Sequence, residues 1–232
     1  MSKIMSFDAD NPTSDPFKSI ESLMKLSPLI PSTEILDEFD AVPLCDALEA
    51  GGAKVITVNI RTNAAYEAID IIKRQCPNIV IGANNIQTPD MLQAAIDAGA
   101  EFGSSPGNTD ILLRAVSRRN FAFLPGVSTG SDMMRALEYG YHYHKFCPAA
   151  FSGGLKVLKY FQSQFFDVKF CVSGGINDDN INDYLSMTNV ESVIGSWIVR
   201  AHDIYDKKWA KVTERTLFSY NNLVPSQAKK VA

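Results

Sequence analysis

From residue 27 onward the apolar pattern of the chain changes period at short, regular intervals. Short runs rich in Val, Ile, Phe and Leu alternate with longer stretches whose apolar residues recur every three or four positions. The strand-like runs are 27–31, 54–61, 78–82, 100–104, 121–124, 143–148, 168–172 and 192–194. The helical stretches are 37–50, 62–76, 88–99, 109–118, 128–139, 154–165, 177–187 and 202–220, with one more, 17–26, ahead of the first strand. Thr88-Pro89 opens one helix, and Gly51-Gly52, Gly99 and Gly140 close three others. Strands separated by helices of about a dozen residues run parallel, because each helix carries the chain back to its starting edge. Eight such units in roughly 190 residues predict an α/β fold, a (β/α)8 TIM barrel on the small side, behind a short N-terminal helix. A doubly wound open sheet shares the same local pattern. No Gly-x-Gly-x-x-Gly follows the first strand and no Walker A sequence occurs, which counts against its nucleotide-binding forms.

Residues 1–16 read as a flexible leader, 17–220 as one barrel domain and 221–232 as a polar tail. A hydrophobic content of 46% supports a core that needs no disulfide or metal staple. Cys45, Cys76, Cys147 and Cys171 form no Cys-x-x-Cys pair and no zinc-ribbon spacing. Free thiols in a reducing, cytoplasmic setting are the expectation. The net charge is -4 and no long basic run occurs, adjacent basic residues coming only in pairs such as Lys229-Lys230, so no nucleic-acid partner is expected. The N-terminus has no apolar h-region, and no run of about 18 apolar residues occurs, so neither a signal peptide nor a membrane span is expected.

In a parallel barrel the substrate site lies at the C-terminal strand ends. In Tyr143-His144-Lys145-Phe146-Cys147-Pro148, alternation puts Tyr143, Lys145 and Cys147 on one face, opposite His144 and Phe146. An ammonium withdrawn from water loses hydration, and its pKa falls. The neutral amine that results is the nucleophile of Schiff-base chemistry. The competing reading is a lysine that snorkels to solvent at a strand end. In 54–61, Val55, Thr57, Asn59 and Arg61 share a face, opposite Ile56, Val58 and Ile60. The apolar set is expected against the helices and the polar set inside the barrel. A polar lining is costly unless it binds something. Arg61, uppermost, suits a bidentate carboxylate, or else a rim Asp or Glu. Ser173-Gly174-Gly175 and Gly195-Ser196 end the last two strands. Barrels often bind phosphate there, on backbone N–H groups and a helix N-terminus, here expected near Asn177.

Taken in order, these segments resemble the KDPG/KHG aldolases. The resemblance is carried by Lys145-Phe146-Cys147-Pro148-Ala149, Ser105-Pro106-Gly107, Pro125-Gly126-Val127-Ser128-Thr129, Ser173-Gly174-Gly175-Ile176 and Ile194-Gly195-Ser196-Trp197. Ser27-Pro28-Leu29-Ile30-Pro31, Ala50-Gly51-Gly52 and Ile60-Arg61-Thr62 extend it towards the start, so that it spans residues 20–200. Those class I aldolases cleave 2-keto-3-deoxy-6-phosphogluconate (KDPG) or 4-hydroxy-2-oxoglutarate (KHG) to pyruvate and an aldehyde, which for KDPG is glyceraldehyde 3-phosphate. The resemblance implies a carbon–carbon lyase on a (β/α)8 barrel, a homotrimer with no metal or other cofactor, acting on a small keto acid or sugar phosphate. It implies Lys145 as the Schiff-base lysine, Arg61 as the holder of the pyruvate carboxylate and Pro106 as the residue packed on the reacting end. It implies phosphate binding at Gly174, Gly175 and Ser196, with Gly195 beside them.

The chain also departs from the pattern. Glu-Val-Thr-Leu-Arg-Thr reads Thr57-Val58-Asn59-Ile60-Arg61-Thr62, so Thr57 stands where a general base is implied, and a hydroxyl does not ionise to serve as one. Gly-Ala-Gly-Thr reads Gly82-Ala83-Asn84-Asn85, which puts Asn85 at the position of a substrate-binding threonine. Ser173 keeps the hydroxyl of the usual threonine, and Cys147 replaces an aromatic residue and widens the pocket. Glu34, just past the first strand, is the one candidate for a substitute base. The expectation is a class I aldolase with altered substrate or reduced rate, since losing a placed base costs about two to four decades. The alternative is a non-catalytic binding protein for keto acids or sugar phosphates, which keeps Arg61 and the phosphate loops but needs no low-pKa lysine.

Overall fold

The computed structural model describes residues 19–224. The leader 1–16, residues 17 and 18 of the expected first helix, and the tail from 225 on, with Lys229 and Lys230, lie outside the described residues. The strands are β1 (Leu29–Thr33), β2 (Val55–Asn59), β3 (Val80–Asn84), β4 (Phe102–Ser104), β5 (Ala122–Leu124), β6 (Gly126–Val127), β7 (Tyr143–Phe146), β8 (Lys169–Ser173) and β9 (Val190–Gly195). The helices are α1 (Ile20–Leu26), α2 (Ala41–Ala50), α3 (Asn63–Gln75), α4 (Pro89–Asp97), α5 (Asp110–Arg119), α6 (Gly130–Glu138), α7 (Gly154–Gln164), α8 (Ile181–Leu185), α9 (Ala201–Tyr205) and α10 (Trp209–Asn221).

All strand pairs are parallel, in the order β5-β4-β3-β2-β1-β9-β8-β7-β6. The two ends of that row meet in the chain, since only Pro125 separates β5 from β6. Proline has no N–H to give, so the ladder carries a seam there. The pairing with β4 ends at Leu124, and the Pro125 carbonyl accepts the Lys145 N–H from β7 at 2.9 Å. The segments therefore make eight staves, the (β/α)8 barrel expected from the alternating periods.

Two apolar layers hold it. Ile56, Val58, Ile60, Ile81, Phe146 and Phe170 belong to the layer between staves and helices. Val55, on the other face of β2, belongs to an inner cluster with Ile30, Phe102, Leu124, Cys171 and Ile194. This is the division that alternation along 54–61 implies. Leu23 and Met24 of α1 join the inner cluster and close the N-terminal end of the barrel. Each such buried side chain contributes about 1.5–3 kcal/mol. Gly82 makes room for the Phe102 ring, since a Cβ there would lie 2.4 Å from it. The bottom of the barrel is thus packed solid, and the open chemistry is left to the top.

Three successive top loops end in threonine caps. Thr88, Thr109 and Thr129 accept from the N–H groups of Met91, Leu112 and Asp132, which starts α4, α5 and α6 directly above their strands. The chain also differs from its sequence reading in several places. Stretch 37–50 opens with a 3-10 turn, Glu38–Asp40, before α2. Stretch 202–220 is two helices, because Lys207 takes a left-handed φ of 54° and its ammonium pairs with Asp40. The helix expected from Asn177 starts only at Ile181. Side-chain bonds from Asp179 N to Asn177 Oδ1 and from Asn177 N to Asn180 Oδ1 hold the intervening residues in a turn. The start of the polar tail is docked on α8. Asn182 Nδ2 donates to the Asn222 carbonyl at 2.9 Å, and its Oδ1 accepts the Val224 N–H at 3.0 Å.

Candidate active site

Lys145 projects from the middle of β7 into the barrel and is 2% exposed, so it does not snorkel. Its Nζ donates to Asn84 Oδ1, from the top of β3, at 2.6 Å. Burial lowers its pKa below the ordinary lysine value, and the Cys147 and Cys171 thiols act in the opposite direction. The Cys171 thiol is itself pushed up to about 11 by burial.

Asn84 is the centre of an uncharged network. Its Oδ1 also accepts from Ser104 Oγ on β4 at 2.7 Å and from the Asn85 N–H at 2.9 Å. Its Nδ2 donates to Asn59 Oδ1 on β2 at 2.8 Å and to Ser32 Oγ on β1 at 3.4 Å. Asn59 Oδ1 accepts further from Ser32 Oγ at 3.2 Å and from Asn85 Nδ2 at 3.4 Å. Four strands from one side of the barrel thus send serine and asparagine side chains into one network, which meets the amine from β7 through Asn84. Thr57 lies outside this network. It is fully buried one pleat below Asn59, and its hydroxyl reaches only the Pro31 carbonyl, at 3.5 Å.

Arg61 and Glu34 stand at the rim, where Arg61 Nε lies 3.9 Å from Glu34 Oε1. Both side chains are largely in water, at 63% and 43% exposure, so this pair holds either one weakly. Glu34 lines a cavity of about 470 Å³ that opens between the ends of β1, β2 and β9 and helix α9. Ser32, Asn59 and Ser196 line it too, so Ser32 and Asn59 join the cavity to the network around Lys145.

Pro106 is exposed at the rim and follows Ser105, whose hydroxyl accepts the Gly126 N–H at 3.0 Å. A Cβ on Gly126 would lie 2.4 Å from the Pro106 carbonyl carbon, so the loop after β4 lies flat on β6. Gly126 is the register partner of Lys145, which brings this loop beside the lysine's stave. On the far side, Ala149 N–H donates to Ser173 O at 2.8 Å and Ala150 N–H to Gly174 O at 3.0 Å. Gly174 and Gly175 take φ of 96° and 77°, and a Cβ on Gly175 would lie 2.3 Å from the Ala150 Cβ. Only glycine satisfies both demands. Gly195 lies against the Trp197 ring, and Ser196 is exposed beside it. Because α8 begins at Ile181, the Gly174-Gly175 turn does not run into a helix N-terminus. An anion there would rely on backbone N–H groups and the Ser173 and Ser196 hydroxyls.

The sequence reading singled out Asn85 and passed over Asn84, the partner of the lysine, and Ser104 and Ser32, which bond Asn84 in turn. The available signal was the two-residue alternation, which places Asn84 on the inward face with Gly82, and Ser104 with Phe102. Among the described residues no three His, Cys, Asp or Glu side chains cluster as metal ligands, and no helix is long and apolar enough to cross a membrane.

Comparison with known proteins matches this geometry to a family. The family model described as KDPG and KHG aldolase covers residues 20–215. The KHG/KDPG aldolase of Escherichia coli (strain K12) is 36% identical over 196 residues, which are 84% of this chain and 92% of that protein. The 2-dehydro-3-deoxy-phosphogluconate aldolase of Zymomonas mobilis is 41% identical over 184 residues, 79% of this chain and 88% of that protein. Among solved structures, the KDPG aldolase of Legionella pneumophila, with pyruvate captured at low pH as a covalent carbinolamine, gives a TM-score of 0.84. It is 39% identical and covers 87% of this chain and 98% of its own.

Proposed function

The chain belongs to the KDPG and KHG aldolase family, and on that premise we propose that it is a class I aldolase that cleaves KDPG to pyruvate and glyceraldehyde 3-phosphate through a Schiff base on Lys145. The observation that carries this reading is the lysine itself, buried in the barrel with its amine on a neutral amide. A neutral amine attacks the keto carbon, and loss of water leaves a cationic imine. That cation draws the electron pair of the neighbouring carbon–carbon bond as the substrate hydroxyl gives up its proton and the aldehyde departs. The enamine left behind takes a proton on carbon, and hydrolysis then frees pyruvate and the lysine.

In this reading Arg61 at the rim takes the substrate carboxylate, with the Asn85 amide beside it. Pro106 packs on the reacting end. Ser173, Gly174, Gly175, Gly195 and Ser196 take the phosphate at the ends of β8 and β9. Proton transfer falls to water, with Glu34, which shares the cavity lining with Asp37 and Asp40, as the substitute base on the cavity that Ser32 and Asn59 join to the lysine network. Thr57 supplies no base, so turnover is expected to run about two to four decades below that of a barrel with a placed carboxylate. The reading includes assembly as a homotrimer, testable by light scattering. It also includes a cytoplasmic setting, which the free Cys45, Cys76, Cys147 and Cys171 support.

A second reading, a keto-acid or sugar-phosphate binding protein, draws on the uncharged surroundings of Lys145. Borohydride reduction in the presence of pyruvate, followed by mass mapping, separates the two. An adduct on Lys145, and no KDPG cleavage by Lys145→Ala, support the aldolase. No adduct from mildly acidic to basic pH overturns it in favour of the binding protein.

A further inference from the structure

We propose that Asn84 is a catalytic residue of this barrel: its carboxamide oxygen holds one N–H of the Lys145 amine, leaves the lone pair to the substrate, and later holds the single N–H of the imine. This rests on the Schiff-base reading of Lys145.

The orientation of the amide is set by its surroundings. Two of the groups at Oδ1, the Lys145 amine at 2.6 Å and the Asn85 N–H at 2.9 Å, approach as donors. On the other side, Asn59 Oδ1 can only accept. Rotating the amide by half a turn would set N–H against N–H at one end and oxygen against oxygen at the other. Asn84 is 5% exposed, and both ends of its amide are committed, so no water competes for the place.

An amide oxygen suits this position better than a carboxylate would. A carboxylate would hold the ammonium as an ion pair and keep the proton on nitrogen. The amide offers a dipole with no net charge, so it accepts from amine and ammonium alike. Of the two protons on the neutral amine, one passes to the substrate's carbonyl oxygen as the carbinolamine forms. The hydroxyl then leaves as water with a proton from solvent. The second proton stays on nitrogen, and the Asn84 dipole faces the positive charge that develops there. The other ionisable groups acting on Lys145 are Cys147, just past the end of its own strand, and Cys171 on β8. β1 to β4 bring Ser32, Thr57, Asn59, Asn84 and Ser104, none of which titrates, and β9 and β5 bring Ile194 and Leu124.

The test is the rate of cyanoborohydride trapping of pyruvate on Lys145 of the full chain, measured across pH. Asn84→Asp should move the pH of half-maximal trapping upward by about one to three units, because the new carboxylate stabilises the ammonium. Asn84→Ala should slow trapping about tenfold or more, with circular dichroism unchanged. If Asn84→Asp fails to fold, the Asn84→Ala rate alone decides. An unmoved midpoint in a folded Asn84→Asp chain, or wild-type trapping in Asn84→Ala, overturns the role of Asn84. Absence of any adduct in the wild-type chain overturns the Schiff-base reading instead.

Discussion

Acidification should weaken the stave that carries Lys145, through the residue next to it. His144 faces away from the barrel interior and is fully buried. Its Nε2 donates to the Tyr141 carbonyl at 2.8 Å, and its ring meets Phe170 edge-on with centroids 6.2 Å apart. Its Nδ1 has no hydrogen-bond partner among the described residues. Protonation would place a charge and an unpaired N–H inside an apolar layer. Burial therefore pulls the pKa down to about 4, against the Tyr141 carbonyl, which favours the charged ring. His142 adds to the lowering and Asp167 opposes it. The unfolded chain takes up this proton near about 6.5, so between these two values it binds more protons than the native state. The stabilisation is complete above about 6.5 and is lost progressively as the pH falls towards about 4. Between about pH 7 and about pH 5 the loss from His144 alone is about 2 kcal/mol. Urea unfolding followed by tryptophan fluorescence measures it, in the wild-type chain and in His144→Leu. The variant cannot titrate there, so its stability should fall by about 2 kcal/mol less over the same span. Equal losses in the two chains would refute the argument that the buried ring stays neutral.

Thr57→Glu alone puts a carboxylate where Asn59 and Asn84 already fill the way up to Lys145. Thr57→Glu combined with Asn84→Gly clears that path at the cost of slower imine formation, so pyruvate proton exchange per trapped imine should rise about tenfold or more over the single variant, and a single variant as fast as the pair on that measure would count against the crowding. Glu34→Gln should slow the same exchange, read by loss of the pyruvate methyl signal in heavy water, and an unchanged rate removes Glu34 from proton transfer. Gly82→Ala should cost about 1–3 kcal/mol, because the new methyl would press on the Phe102 ring. An unshifted melting temperature would mean that the ring has room to move.

Periodicity is a local property, and the local properties were legible in the sequence. The switch between two- and three-to-four-residue periods determined eight strand–helix units and a parallel sheet, a pattern an open sheet shares; that the sheet closes is seen only where β5 and β6 join its two ends at Pro125. Alternation within 54–61 determined which side chains of β2 enter the barrel and which meet the helices. An apolar run around Lys145 determined that its amine would be costly to bury. The partner of that amine was decided elsewhere. Asn84 lies 61 residues away in the chain, and it reaches Lys145 because the stagger of the staves sets the two at one height. Alternation tells which face a residue takes; the height it shares with residues of other strands depends on register, which closure of the whole ring imposes. The start of α8 was likewise decided by side chains that turn back on the backbone at Asn177 and Asn180. The break between α9 and α10 was decided by Lys207 reaching across to Asp40, a contact that forms only once α2 and α10 lie side by side around the barrel.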